Sequence, residues 1–203
     1  VAVFFEKIMD IERHPLKPFL PEGAKVLFLG SFPPPRKRWC MEFYYPNFIN
    51  DHWRILGEVF FKDRNHFVDV AEKRFRKEAI ETFLREKGIA YYDTAEAVIR
   101  LKENASDAFL EVVEATDVRA LLTHLPRCRA LVTTGEKACA TLCATFGIDT
   151  LLKPGTSTLL PGQLNAAGEA VRLWRLPSSS RAYPLAFEAK VEAYRLMFEE
   201  VFF

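Results

Sequence analysis

The chain has 203 residues, of which 49% are hydrophobic and 27% charged. This ordinary globular composition excludes disorder and collagen-like repeats and fits one domain. Its 28 basic and 27 acidic side chains leave a formal charge of +1, so the net charge gives no broad electrostatic grip on nucleic acid, although a local basic patch can still form.

No apolar run reaches the roughly 18 residues of a membrane span. The opening Val1-Ala2-Val3-Phe4-Phe5 is apolar but lacks a basic leader and soon meets Glu6 and Lys7, so it is not read as a signal peptide. With 18 phenylalanines, the core is expected to be large and aromatic. In chain order, Lys25 to Leu29 reads as a buried strand that ends at Gly30. The loop from Ser31 to Arg38 contains Pro33, Pro34 and Pro35, which remove donors and fix φ, so it is read as non-helical. After Tyr44-Tyr45-Pro46-Asn47, a helical pattern places Ile49, Trp53, Leu56 and Phe60 on one face. Phe75, Ala79 and Phe83 predict a helix from about Glu72 to Lys87, with Gly88 as its stop.

Ile89 to Tyr92 reads as a second strand, ending at Asp93. Ser106 or Asp107 is expected to cap a further helix, which Thr116-Asp117 restarts with Val118, Leu121, Leu122 and Leu125 inward. Arg129 to Thr133 reads as a third strand, ending at Thr134-Gly135. The next helix carries Cys139, Leu142, Cys143 and Phe146 on one face and stops at Gly147. Pro154-Gly155 and Pro161-Gly162 punctuate a loop. Val171 to Leu176 alternates as a fourth strand. A final helix aligns Phe187, Val191, Tyr194, Phe198 and Val201.

Strands alternate with helices along the whole chain. The pattern predicts a single domain over residues 1–203, an α/β fold: a three-layer α/β/α sandwich with a mostly parallel central sheet of about four strands. In such sheets ligands sit beyond the carboxyl ends of the strands. The loops after Gly30, Tyr92, Thr133 and Leu176 therefore matter most.

Cys40, Cys128, Cys139 and Cys143 form no Cys-x-x-Cys pair, so neither a zinc site nor a disulfide framework is expected. A reducing, cytoplasmic location follows. Phosphate-binding glycine loops and the Gly-x-Ser-x-Gly elbow are absent, so neither a nucleotide cofactor nor a serine nucleophile has support. No metal or cofactor is expected, and the chain is expected to work as a monomer.

Two loops stand out. The first runs from Ser31 and Phe32 through the prolines and the basic Arg36-Lys37-Arg38 to Tyr44 and Tyr45. A rigid wall and a ring suit a planar base, and basic residues suit phosphates; composition alone favours a proline-rich turn with a solvated charge run and two core tyrosines. The second, Pro177-Ser178-Ser179-Ser180-Arg181, precedes the last helix, where hydroxyls and free N–H groups make an anion site or a plain capping turn. Asn50 fits a helix cap or a water-orienting amide, and both can hold together. His52 falls close to this site, His124 falls inside a helix, and His14 and His66 read as surface residues.

With both loops in hand, the sequence resembles the uracil-DNA glycosylase superfamily from about Lys25 to the last helix. Gly30-Ser31-Phe32-Pro33 is similar to its first motif, and Tyr44-Tyr45-Pro46-Asn47-Phe48-Ile49-Asn50-Asp51-His52-Trp53 to its aromatic, spacer, Asn-x-x-Trp stretch. Gly88 to Asp93 resembles the second strand, Leu131 to Ala138 the third strand with its helix start, and Leu176 to Arg181 the loop that enters DNA beside a flipped base. Adjacent Ser106 and Asp107 match the family's Ser-Leu-Asp only loosely.

One departure is informative. Well-studied branches carry Asp or Asn just before the motif Pro, where this chain has Phe32. The hypoxanthine-DNA glycosylase branch lacks that polar residue and relies on the downstream Asn, matched here by Asn50. The resemblance thus implies a monofunctional DNA glycosylase acting on uracil or hypoxanthine, without metal. Asn50 is the implied catalytic residue. Ser31, Phe32 and Tyr45 would hold the base, and Pro177, Ser178, Ser179, Ser180 and Arg181 the DNA. A non-catalytic DNA-binding relative is the alternative, and a serine hydrolase using Ser178 to Ser180 a distant third.

Overall fold

The computed structural model describes residues 10–102 and 106–203; the Val1 to Phe5 segment lies outside the described residues. Along the chain come β1 (Ile11–Arg13), β2 (Val26–Gly30), α1 (His52–Phe61), β3 (Val68–Asp69), β4 (Arg74–Phe75), α2 (Lys77–Lys87) and β5 (Ile89–Asp93). They are followed by β6 (Ala95–Arg100), β7 (Leu110–Ala115), α3 (Val118–Thr123), β8 (Ala130–Thr134), α4 (Glu136–Phe146), β9 (Thr156–Leu164), β10 (Ala170–Leu176) and α5 (Phe187–Phe202).

The central sheet has five strands in the order β5-β2-β8-β10-β9. The first four run parallel, and β9 pairs antiparallel with β10. Residues of β2, β5 and β8 are buried without exception, which requires cover on both faces and explains their largely apolar sequences. Helix α4 packs on β8, α5 on β10 and α2 on β5, while α1 packs on α5. Aromatic rings fill the core: Phe28 stacks on Tyr91 at 5.2 Å, and the buried Trp53 indole donates to the Tyr44 carbonyl at 3.0 Å. Because four strands are parallel, their carboxyl ends lie at one edge of the sheet.

Several expectations need correction. The sheet has a fifth strand, because Pro161-Gly162 lies within β9 rather than in a loop; β9 is an edge strand, where a missing N–H is tolerated. The helix expected after Ser106 does not form. Asp107–Phe109 is a single 3₁₀ turn, and β6 and β7 make an antiparallel hairpin to which β1 adds, giving a second sheet β1-β6-β7. The proline loop is not wholly non-helical, since Arg36–Arg38 forms a 3₁₀ turn directly behind Pro35, which stands at its N-cap. Helix α2 begins at Lys77 because Arg74 and Phe75 pair with β3; its stop at Gly88, with φ 69°, is as expected. Ile49 precedes α1 and is exposed rather than on the buried face.

Candidate active site

All four parallel strand ends open into one cavity of about 940 Å³. Residues after β2, β5, β8 and β10 contribute to its wall, and so does the Tyr44 to Asn50 stretch. The two loops singled out from sequence therefore meet at one rim. They are also bonded to each other. The Asp51 backbone N–H donates to the Ser179 carbonyl at 3.1 Å, and the Arg181 Nε donates to Asp51 Oδ1 at 2.9 Å. Behind them, the buried Lys190 Nζ donates to the Ser180 carbonyl at 2.7 Å. Burial pulls this ammonium's pKa down, and the nearby Asp51 opposes that shift.

Asn50 lines the cavity and is half-buried. Its Oδ1 accepts the His52 N–H at 2.9 Å, its N–H donates to the Asn47 carbonyl at 2.8 Å, and its carbonyl accepts from Arg54 at 3.1 Å. The backbone donor fixes which amide atom is oxygen. So the capping role exists, and it pins the amide in place. Among the described residues the Asn50 NH₂ has no hydrogen-bond partner, so it remains free for whatever occupies the cavity.

Tyr45 sits in the left-handed region at φ 49°, a strained conformation for a bulky residue. That turn lays its ring on the buried His52 at 3.8 Å with planes 13° apart, and brings its hydroxyl within 2.5 Å of Thr134 Oγ1. One face of the phenol is therefore occupied by His52, so a planar ligand could stack only on the other. Burial keeps the phenol neutral, with its pKa raised well above normal. His52 bonds the Tyr91 hydroxyl at 2.7 Å, and burial depresses its pKa well below normal.

Gly30 has a steric reason to be glycine: a Cβ there would lie 2.4 Å from Asp93 Oδ1. The carboxylate of Asp93 thus packs directly over the end of β2. Its other oxygen accepts from His14 Nε2 at 2.9 Å. His14 is accordingly not a surface residue; its side chain is 1% exposed, because β1 tucks it under the Phe32 and Tyr92 rings. Half-buried His66 stacks on Phe61 instead.

Ser31 lines the cavity, and its Oγ donates to Asp107 Oδ2 at 2.8 Å. Phe32 is buried in a small apolar cluster with Ala95, Val98 and Leu110 of the hairpin. Ser178, Ser179, Ser180 and Arg181 line the cavity, whereas Pro177 is buried and does not. The serines are used structurally. Ser178 Oγ accepts from the Ser180 N–H, and Ser180 Oγ from the Ala182 N–H, both at 3.2 Å. Ser179 is buried, and none of the three bonds a histidine. The hydrolase reading gains nothing here.

Three contributors escaped the sequence reading: Asp107 as part of the wall, His14 as the partner of Asp93 and the Lys190 tether. The sequence reads Ser106 or Asp107 as a helix cap. The run Leu-Glu-Val-Val-Glu-Ala at 110–115 is rich in valine and carries charges at intervals, which was the available signal for a hairpin turning at Asp107. Among the described residues no group of three or more His, Cys, Asp or Glu is arranged to hold a metal. No helix there is long and apolar enough to cross a membrane, and the four cysteines are unpaired.

No family model and no curated protein matches the chain. Solved structures do match. Across 94% of this chain and 99% of the other, it is similar to a candidate uracil DNA glycosylase from Methanosarcina acetivorans, determined by NMR in solution. The TM-score is 0.59 and the identity 23%. The two chains share a fold.

Proposed function

We propose that the protein is a monofunctional DNA base-excision glycosylase of the uracil-DNA glycosylase superfamily, nearest its hypoxanthine-DNA glycosylase branch. It would hydrolyse the N-glycosidic bond of a deaminated base, uracil or hypoxanthine, flipped out of DNA. The observation that carries this is the pair of loops hydrogen-bonded to each other around one cavity at the sheet's carboxyl edge, with Asn50 and Tyr45 on the wall.

In this reading the extruded base lies against the open face of Tyr45. Asn50, pinned by its backbone, orients water at the anomeric carbon. The backbone near Ser31 and Phe32 hydrogen-bonds the base as charge develops on it. Ser178 to Arg181 hold the flanking phosphates, with Pro177 aiming that loop. An oxocarbenium-like transition state attacked late by water does not need a strong base, so positioning supplies much of the rate. The reading needs neither metal nor cofactor, and it places a monomer in the cytoplasm acting on damaged DNA.

The test is a panel of oligonucleotides bearing uracil, hypoxanthine, xanthine or thymine mispairs, scored for abasic sites. Release of a deaminated base supports the reading, and its absence from every member rejects it. A second reading, a DNA-binding relative without catalysis, draws on one observation: Phe32 stands where other branches place a polar residue and is buried against the hairpin. Tight binding to the same oligonucleotides with no released base selects it.

A further inference from the structure

Asp107, like its neighbours Ser106 and Ala108, joins the wall from outside the central sheet. It belongs to the hairpin that inserts between β5 and α3, not to any strand end of the central sheet. The hairpin reaches the cavity because Phe32 packs into its apolar cluster, and Arg100 of β6 donates to the Pro33 carbonyl at 2.9 Å. Asp107 then meets Ser31 at 2.8 Å. We propose that Asp107, held by Ser31 in the cavity that Asn50 also lines, is the acid that hands a proton to a departing purine base. This rests on the glycosylase reading and adds a residue and a base class to it.

The chemistry follows from what leaves. A purine has basic ring nitrogens away from its glycosidic N9, and protonating one makes the leaving group neutral. Uracil has no such nitrogen and departs as an anion, which N–H donors stabilise. In the proposed step the C1′–N9 bond breaks with its electron pair going to the base. The Asp107 proton passes to a ring nitrogen such as N7. Water forms the new C1′–O bond and releases one proton to solvent, from which the Asp107 carboxylate is reprotonated. The sum is base plus a 1′-hydroxyl, with nothing oxidised or reduced. A cavity of about 940 Å³ has room for a bicyclic base.

The surroundings favour a carboxylic acid at this position. Burial raises the Asp107 pKa, and the neighbouring Asp93 raises it further. The Ser31 hydrogen bond, Lys137 of α4 and Arg100 of β6 pull the other way, and the net direction is up. Tyr45 also faces it and stays neutral. A group that works in its protonated form and has a raised pKa gives a rate that falls as pH rises through that pKa.

Single-turnover release of hypoxanthine and of uracil, measured across pH for wild type, Asp107→Asn and Ser31→Ala, tests this. For Asp107→Asn, hypoxanthine release should fall about a hundredfold or more and lose its falling limb, while uracil release changes less than about threefold and so also reports on folding. Ser31→Ala removes a bond that lowers the Asp107 pKa, so the falling limb should move to higher pH. Equal losses on both bases, a retained limb in Asp107→Asn, or a limb that stays put in Ser31→Ala each overturn the inference. So does a wild-type enzyme that releases only uracil, which leaves the glycosylase reading standing. Release of neither base by wild type removes both.

Discussion

Asn50 carries two roles that a single substitution would confuse. Its Oδ1 caps the His52 N–H, and its amide faces the cavity. Asn50→Ala removes both, so base release should fall about a hundredfold and stability by about 1 kcal/mol. Asn50→Ser keeps an oxygen for the cap and removes the amide. It should therefore retain the wild-type melting temperature and still lose base release; normal release from Asn50→Ser would assign Asn50 to capping alone. The neighbouring His52 makes a different prediction. Its folded pKa lies well below the unfolded value of roughly 6.5. Below that pH the unfolded chain binds a proton that the folded chain refuses, so stability falls as pH drops from about 6.5 toward the folded pKa. The slope is up to about 1.4 kcal/mol per pH unit for this one group. Urea midpoints at pH 7, 6 and 5 should decline more steeply in wild type than in His52→Gln; parallel declines would show that the ring titrates freely in the fold.

At the level of elements, what the sequence made legible was whatever a local pattern controls. Short, largely apolar runs marked β2, β5 and β8, and glycines closed α2 and α4 at the expected residues. The hairpin was only weakly marked: the valines of Leu110–Ala115 suit a strand, but only Leu110 is fully buried and the charges suit a helix equally, so pairing with β6 decides its state. Of the cavity wall, Tyr45, Asn50 and the serine loop were singled out, Tyr45 and Asn50 chiefly through the family resemblance and the serine loop as a turn after a strand end. Asp107, His14 and Lys190 were not, because each reaches the site through tertiary contact across a long stretch of chain. Gly30 shows how tightly two elements close. Its missing Cβ leaves room for Asp93 Oδ1, and His14 holds that carboxylate from the far side. Gly30→Ala must displace a group that cannot swing without losing its partner, so it should cost about 1–3 kcal/mol in denaturant unfolding. In an Asp93→Ala background the same change should cost little. Additive losses in the double variant would mean that the clash lies elsewhere.

For the whole molecule, a net charge of +1 means that DNA affinity depends on where charge sits. Around the cavity Arg175 is paired with Glu136, at 3.1 Å, and Arg181 with Asp51, at 2.9 Å. The Arg181 side chain is still 49% exposed, and its terminal nitrogens can reach beyond Asp51. A phosphate contact there means that the guanidinium shares its charge between a protein carboxylate and DNA. Arg181→Ala should then lower the slope of log K against log salt by about one unit. Asp51→Asn removes the competing carboxylate. It costs no side-chain cap, since the Asp51 side chain makes none on α1, and it should tighten binding several-fold at low salt. That gain depends on Arg181 being present, so Asp51→Asn/Arg181→Ala should bind no better than Arg181→Ala alone. The cycle separates a specific pair from a general rise in positive charge, because the two groups touch and must couple if they share a ligand. A gain from Asp51→Asn that persists without Arg181 would place the phosphate on another cation of the rim, Arg38 or Lys137, and would remove Arg181 from the DNA-binding surface.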